Sequence, residues 1–376
     1  MTLRGARVAR GPNEAVALDV EIAGGRIRAL RKPSTRGPGI DLAGLLLLPG
    51  LINAHDHLEF NLYPRLGRGP YPNAGAWSGD VYRPAESPVR EQLDIPKNTR
   101  LVWGGLKNLL SGATTVCHHN PRENPVFDRR FPVRVLKRFG WAHSLQFSPD
   151  VAARFHDTPA DWPFILHLGE GVDRAARREV FRLDELGALD SRTVLVHAVA
   201  LGPGGLRLVK QKGAALIWCP SSNLFMLGRT LDAALAKDIP VALGSDSAVT
   251  ARGDLLDEIR VARKYLPVER IYRMVTDGAA RILRLPRGYG AIEEGGPADL
   301  IAIAGDGRAP AEALARARKI ELAVVAGKVK LSAREQPGLS PLRVRGRGDV
   351  FVDADVPRLR ARVAGPLRLA GRRVLP

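Results

Sequence analysis

Two histidines one residue apart, His55 and His57, close the stretch "PGLINAHDH". On a strand, residues two apart share a face, so both imidazoles can point one way while Asp56 points the other. That spacing makes a nitrogen clamp with two teeth. Further along, three more polar residues follow apolar runs: His167 after "PFIL", His197 after "TVLV" and Asp246 after "PVALGS". Four of the chain's eight histidines and one carboxylate thus fall at the ends of separate apolar segments. Several neutral imidazoles and a carboxylate meeting at one point suit a borderline divalent cation: Zn2+ first, with Fe2+ or Mn2+ able to use the same ligands. A single buried histidine is more often a hydrogen-bonded core residue than a ligand. It is the recurrence at segment ends that packing alone does not require.

Elements must bring these residues together. Eight strand candidates alternate with helical patterns: 51–57, 113–119, 132–138, 141–147, 163–168, 193–199, 214–220 and 240–246. The third could equally extend the helix before it. This βα rhythm predicts an α/β chain with eight parallel strands closed into a (β/α)8 TIM barrel, whose catalytic groups sit at the C-terminal strand ends. Residues 1–48 alternate short apolar runs with Gly and Pro turns, and strand chemistry returns after the barrel in "GAIEEGGPADLIAIAG" and "IELAVVAGKVKL". A lone hairpin is marginal, so both chain ends are expected to build one small β-sandwich domain. The domains expected are 1–48 and 286–335 for the two parts of the sandwich, 49–285 for the barrel, and 336–376 for an Arg-rich C-terminal extension.

With 376 residues, 45% of them hydrophobic, the chain can bury a large core. It shows neither a run of about 18 apolar residues nor a signal peptide at its start, so a soluble, cytoplasmic protein is expected. Cys117 and Cys219 sit in apolar segments, like small buried hydrophobes rather than a disulfide. The net charge of +18 could mark a polyanion binder. However, only 11 of the 57 basic residues are Lys, and the Arg excess is spread along the chain as compositional bias would spread it. The exception is 332–376, with ten Arg against four acids, which could bind an acidic surface or pack its Val and Leu on the body.

"PGLINAHDHLEF", "GATTV", "ILHLGEG", "LVHAVAL", "CPSSNLF", "LGSDS" and "GAIEEGGPADLIAI" together resemble the metal-dependent amidohydrolase superfamily, in its branch of cytosine, guanine and adenosylhomocysteine deaminases and triazine hydrolases. The resemblance spans about 40–330. It implies a barrel beside a small β-sandwich and one catalytic metal held by His55, His57, His167 and Asp246, with His197 beside the metal-bound water and the substrate. The fourth-strand candidate "WAHSLQF" has no lysine for a two-metal arrangement. Glu170, three residues after His167, has the wrong parity for the strand face and by spacing alone reads as a loop carboxylate. The resemblance makes it a proton shuttle to the substrate nitrogen.

A bound metal lowers the pKa of its water from about 16 toward about 7. Asp246 would take the water's proton, His197 would hydrogen-bond the developing oxyanion, and Glu170 would protonate the leaving side. The expected activity is therefore hydrolysis of a non-peptide C–N bond, foremost deamination of a nitrogen heterocycle. The alternatives are a dechlorinating or amine-releasing triazine-type hydrolase, a cyclic amidase, or a non-catalytic scaffold on the same fold. The expected partner is a small-molecule substrate, with neither nucleic acid nor membrane, and homo-oligomerisation stays open. His119 of "VCHHNP" is expected to touch substrate, with a turn role or one behind the ligands as the competing reading for it and His118. Ser221, Ser222 and Asn223 suit a helix N-cap, and Asn223 could also reach the site. Phe60, Tyr71 and Trp77 could wall a flat substrate or only pack their own loop.

Overall fold

In the computed structural model, which describes residues 1–34, 37–121 and 126–375, the apolar segment that leads to His55 is two strands rather than one. Leu45–Pro49 belongs to a mixed sheet and Leu51–Asp56 to a parallel one. Between them a Cβ on Gly50 would lie 2.1 Å from Thr114 Oγ1, so glycine is required where the chain passes from one sheet to the other. In Leu45–Pro49, Leu46 and Leu48 join one apolar cluster and Leu47 another. Both faces are covered, which is why the run reads as unbroken leucine instead of alternation.

All eight expected parallel strands are present: β1 (Leu51–Asp56), β2 (Ala113–His118), β3 (Arg134–Val135), β4 (Gly140–Ser144), β5 (Phe164–Leu168), β6 (Thr193–His197), β7 (Ala215–Trp218) and β8 (Val241–Leu243). They pair as a three-stranded sheet, β1-β2-β3, and a five-stranded sheet, β8-β7-β6-β5-β4. Among the described residues no ladder crosses from one sheet to the other. At one seam the amides of Ser245 and Asp246 donate to the His55 carbonyl at 3.0 and 3.1 Å. There Gly244 leaves room that a side chain would fill, since its Cβ would sit 2.7 Å from His55 Cβ.

Helices flank these strands, including α1 (Lys97–Leu110) before β2, α2 (Arg174–Glu185) after β5, α3 (Pro220–Leu227) after β7 and α4 (Leu255–Ala262) after β8. α2 starts at Asp173, whose side chain accepts the Ala176 amide, and α4 starts in a capping box of Asp254 and Asp257. The expectation of a helix after every strand is corrected between β2 and β4. There the described residues form no helix, and β3 is only two residues long.

The second unit is one twelve-stranded sheet built from both chain ends. Thr2–Ala9, Ala15–Ala23 and Arg26–Arg31 form a meander, and Leu45–Pro49 runs parallel to Thr2–Ala9 and antiparallel to Leu300–Ala304. The Arg-rich tail continues this sheet through Gly348–Val352, Ser340–Val344 and Arg372–Leu375. Buried Arg347 pairs with Asp254 and, at 3.1 Å, with Asp257; Arg372 reaches Asp257 at 2.6 Å. The tail is thus bolted to the start of α4. No helix among the described residues is long and apolar enough to cross a membrane.

Candidate metal-dependent active site

His55 and His57 leave the end of β1 toward the end of β5. His167 Nε2 lies 3.3 Å from both His57 Nε2 and His55 Nε2, and Asp246 Oδ1 lies 3.8 Å from each of those two nitrogens. His197 brings a further nitrogen within 4.8 Å of His55 and His167. Metal–nitrogen bonds of about 2.0–2.1 Å imply ligand-to-ligand edges of roughly 3.4 Å in a tetrahedron, so the four atoms have the spacing of a zinc cage.

The hydrogen atoms give a stricter test of fit. The His167 Nδ1–H donates to the His143 carbonyl at 2.7 Å, and His57 Nδ1–H to Asn120 Oδ1 at 3.2 Å. His119 Nε2–H donates to the Ala142 carbonyl at 2.9 Å, which leaves His119 Nδ1 to accept from His55 Nδ1–H at 3.2 Å. In this network each of the three rings carries its proton on Nδ1, so three bare Nε2 lone pairs face one another beside a carboxylate oxygen. Those lone pairs have no hydrogen to share and repel; a divalent cation is the group that satisfies all of them. Burial first, and then neighbouring imidazoles, hold His55 and His167 well below the ordinary imidazole range, which keeps them neutral ligands. The residues present fit a divalent metal.

Two of the converging residues have unusual backbones. His197 and Asp246 have φ of 74° and 50°, in the left-handed region that side chains other than glycine rarely adopt. Such conformations cost of order 1–3 kcal/mol and gather at functional sites. Asp246 is held on all sides, with Oδ2 accepting from Ser222 Oγ at 2.7 Å and Thr250 Oγ1 at 3.1 Å, and Oδ1 from the Ser247 amide at 2.7 Å. Behind it Lys107 of α1, fully buried, donates to the Asp246 carbonyl at 2.7 Å and to Asp56 Oδ2 at 3.1 Å. Asp56, the residue between the two histidines, therefore does point away from the clamp, into a polar anchor.

Glu170 Oε1 lies 3.3 Å from His197 Nε2, and His197 Nδ1–H donates to Asn223 Oδ1 at 2.8 Å. Burial pushes the Glu170 carboxyl up to about 7, so a large fraction of it still carries a proton near neutral pH. A cavity of about 950 Å³ opens over His167 and Glu170, with His143, Gln146 and Phe147 on one wall.

The structure brings His55, His57, His167, His197, Glu170 and Asp246 together. His119 is fully buried behind His55 with both ring nitrogens engaged, away from the cavity where substrate contact had been expected. Ser221, Ser222 and Asn223 are not caps: Cys219 precedes α3 without a side-chain capping bond, Ser222 holds Asp246, and Asn223 turns to His197. Phe60 and Trp77 pack against Tyr63, Val89 and Val249, and the Tyr71 hydroxyl donates to Asp80 at 2.5 Å. The sequence alone does not single out His143, Asn120 or Lys107. His143 ends its strand as the other histidines do and was open to the same rule; nothing in the sequence marks a helical lysine as buried.

Residues 164–330 match the amidohydrolase family, a stretch that contains His167, Glu170, His197 and Asp246. The chain carries an amidohydrolase family domain. It is similar to a 5-methylthioadenosine/S-adenosylhomocysteine deaminase of Syntrophobacter fumaroxidans, 26% identical over 370 residues that cover 80% of this chain and 78% of that protein. Two solved structures share its fold over 96% of the chain. An adenosine deaminase of Xanthomonas campestris with bound zinc has 19% identity, a TM-score of 0.69 and 96% of its own chain covered. An atrazine chlorohydrolase of Arthrobacter aurescens in complex with zinc has 20% identity, a TM-score of 0.68 and 98% of its own chain covered.

Proposed function

We propose that the chain is a hydrolase with one divalent metal, zinc foremost, that deaminates a nitrogen heterocycle at the mouth of a closed (β/α)8 barrel. The observation that carries this reading is Glu170: a half-buried carboxyl pushed up to about 7, 3.3 Å from His197 and at the edge of a histidine and aspartate cage. Deaminase relatives and the family match support it. His55, His57, His167 and Asp246 would hold the metal, which when bound supplies an activated water nucleophile at neutral pH.

The chain's own residues do the rest. The Asp246 carboxylate, fixed by Ser222, Thr250 and Ser247, accepts the proton that water loses on adding to the ring carbon. The Glu170 proton passes to the ring nitrogen, so that the amino-bearing carbon becomes tetrahedral. With Nδ1–H committed to Asn223, His197 Nε2 can only accept, so it orients the tetrahedral carbon by accepting from its hydroxyl. As the carbon–nitrogen bond breaks, the proton held by Asp246 passes to the departing amine and the hydroxyl proton returns to Glu170, so ammonia leaves and the ring carbon becomes a carbonyl.

The test is turnover of a heterocycle panel by zinc-loaded protein, with ammonia release as the readout. Glu170→Gln should lose about 100- to 10,000-fold in turnover while keeping its metal. Full activity in that variant would remove Glu170 from the mechanism; release of chloride or an alkylamine without ammonia would replace deamination by the triazine-type reaction.

A further inference from the structure

We propose that His118, His119 and Asn120, at the end of β2, together with Glu59 form a built template that sets the ring tautomer of the two histidines at the end of β1. The inference rests on His55 and His57 being metal ligands and is independent of the substrate.

A neutral imidazole has two tautomers of similar energy, and a proton on Nε2 would occupy the very position where each ring meets a metal. Each of the two rings has its own device against this. For His55 it is His119, whose Nε2–H is committed to the Ala142 carbonyl, so its Nδ1 can only accept. For His57 the device is longer. Asn120 Nδ2 donates to Glu59 Oε1 at 2.8 Å, and a carboxylate oxygen can only accept. The amide is therefore pinned with its oxygen toward His57, and that oxygen requires the proton on Nδ1.

Glu59 is buried, and its second oxygen, Oε2, has no hydrogen-bond partner. His118 Nε2, also buried and unpartnered, lies 3.6 Å away. Because the Leu58 amide donates to His118 Nδ1 at 3.3 Å, the His118 proton is on Nε2 and faces that carboxylate. His118 thus faces Glu59 across 3.6 Å without a hydrogen bond, while hydrogen bonds run from Glu59 through Asn120 to His57, and His118 is tied back to the β1 segment at Leu58. Groups that orient ligating histidines in this way are commonly worth 10- to 100-fold in metal affinity.

The experiment starts from zinc-loaded protein and measures zinc affinity by chelator competition in wild type, Asn120→Leu and Glu59→Gln. The His57 tautomer is read from imidazole nitrogen-15 shifts of the metal-free protein. Both variants are expected to bind zinc 10- to 100-fold more weakly, with His57 passing from Nδ1–H to a mixture. Glu59→Gln keeps the volume and only frees the Asn120 amide to flip, so it decides the matter if Asn120→Leu does not fold. Zinc affinity within twofold of wild type in Glu59→Gln would overturn the proposal. So would weaker binding with an unchanged tautomer, which a merely structural role would produce. No substrate enters either measurement, so a failed deaminase reading and a failed template are told apart.

Discussion

At the scale of single residues, the sharpest consequence concerns Glu170. As a proton donor it must be protonated, and with a pKa of about 7 it is protonated below that pH. The kcat/KM for ammonia release should therefore be level below about pH 7 and fall above it, and the limb should vanish in Glu170→Gln. A rate that rises through pH 7 would make the carboxylate a base instead and sink the donor role. The converging histidines were legible in the sequence because a strand end projects its last side chains into the same region on every strand, and His167 and His197 obeyed that rule. What surrounds them was not legible. Whether His119 meets His55 or a substrate depends on which way one ring turns, and that is decided by the Ala142 carbonyl on β4, in the other parallel sheet.

Elements tell a related story through the three acids that close α4 onto its neighbours. Glu258 is buried and bonded to the Ser221 amide at 3.0 Å and to the Ser221 hydroxyl, and burial raises its carboxyl to about 8. Below its ordinary value of 4.5 it is neutral both folded and unfolded and costs nothing. Between about 4.5 and 8 only the unfolded chain ionises it, so the folded state loses stability as pH rises across that window, by a few kcal/mol at about 1.4 kcal/mol per unit. Relative to wild type, Glu258→Gln should therefore gain stability in urea unfolding at pH 8.5 and show little difference at pH 4. An equal difference at both pH values would refute the assignment.

The ion pair of Arg347 with Asp254 and Asp257 works the other way. Arg347→Met leaves the buried Asp254 carboxylate without its cation, while Asp257 keeps Arg372, and should cost about 3–5 kcal/mol in the same assay. A loss under about 1 kcal/mol would show that the tail does not brace α4. The eight parallel strands were readable from apolar runs and their spacing. The want of a helix among the described residues before β4 was not, and neither was the tail's place in the sheet, since strand partners far apart in sequence leave no periodic trace. Its ten arginines among residues 332–376 suggested a free basic arm as readily as a packed one.

For the molecule as a whole, the site's position relative to the two parallel sheets matters most. His55 and His57 belong to the three-stranded sheet, His167 to the five-stranded sheet, and Asp246 to the segment just after β8. A metal bound by all four is a staple across the seam where the Ser245 and Asp246 amides meet the His55 carbonyl. Ligand that binds only the folded state stabilises it by about 2.7 kcal/mol at a hundredfold excess over Kd, so chelation should lower the melting temperature. The location of the loss is the more telling result. Amide exchange in the metal-free protein should quicken at Ser245 and Asp246, whose bonds span the seam, while the β5–β6 ladder, closed within one sheet from Phe164↔Thr193 to Leu168↔His197, keeps its protection. Uniform loosening of both regions on chelation would mean that the metal stabilises the fold without joining its halves. No change at the seam would mean that the protein closes it unaided, through Lys107 and its bonds to Asp56 and the Asp246 carbonyl.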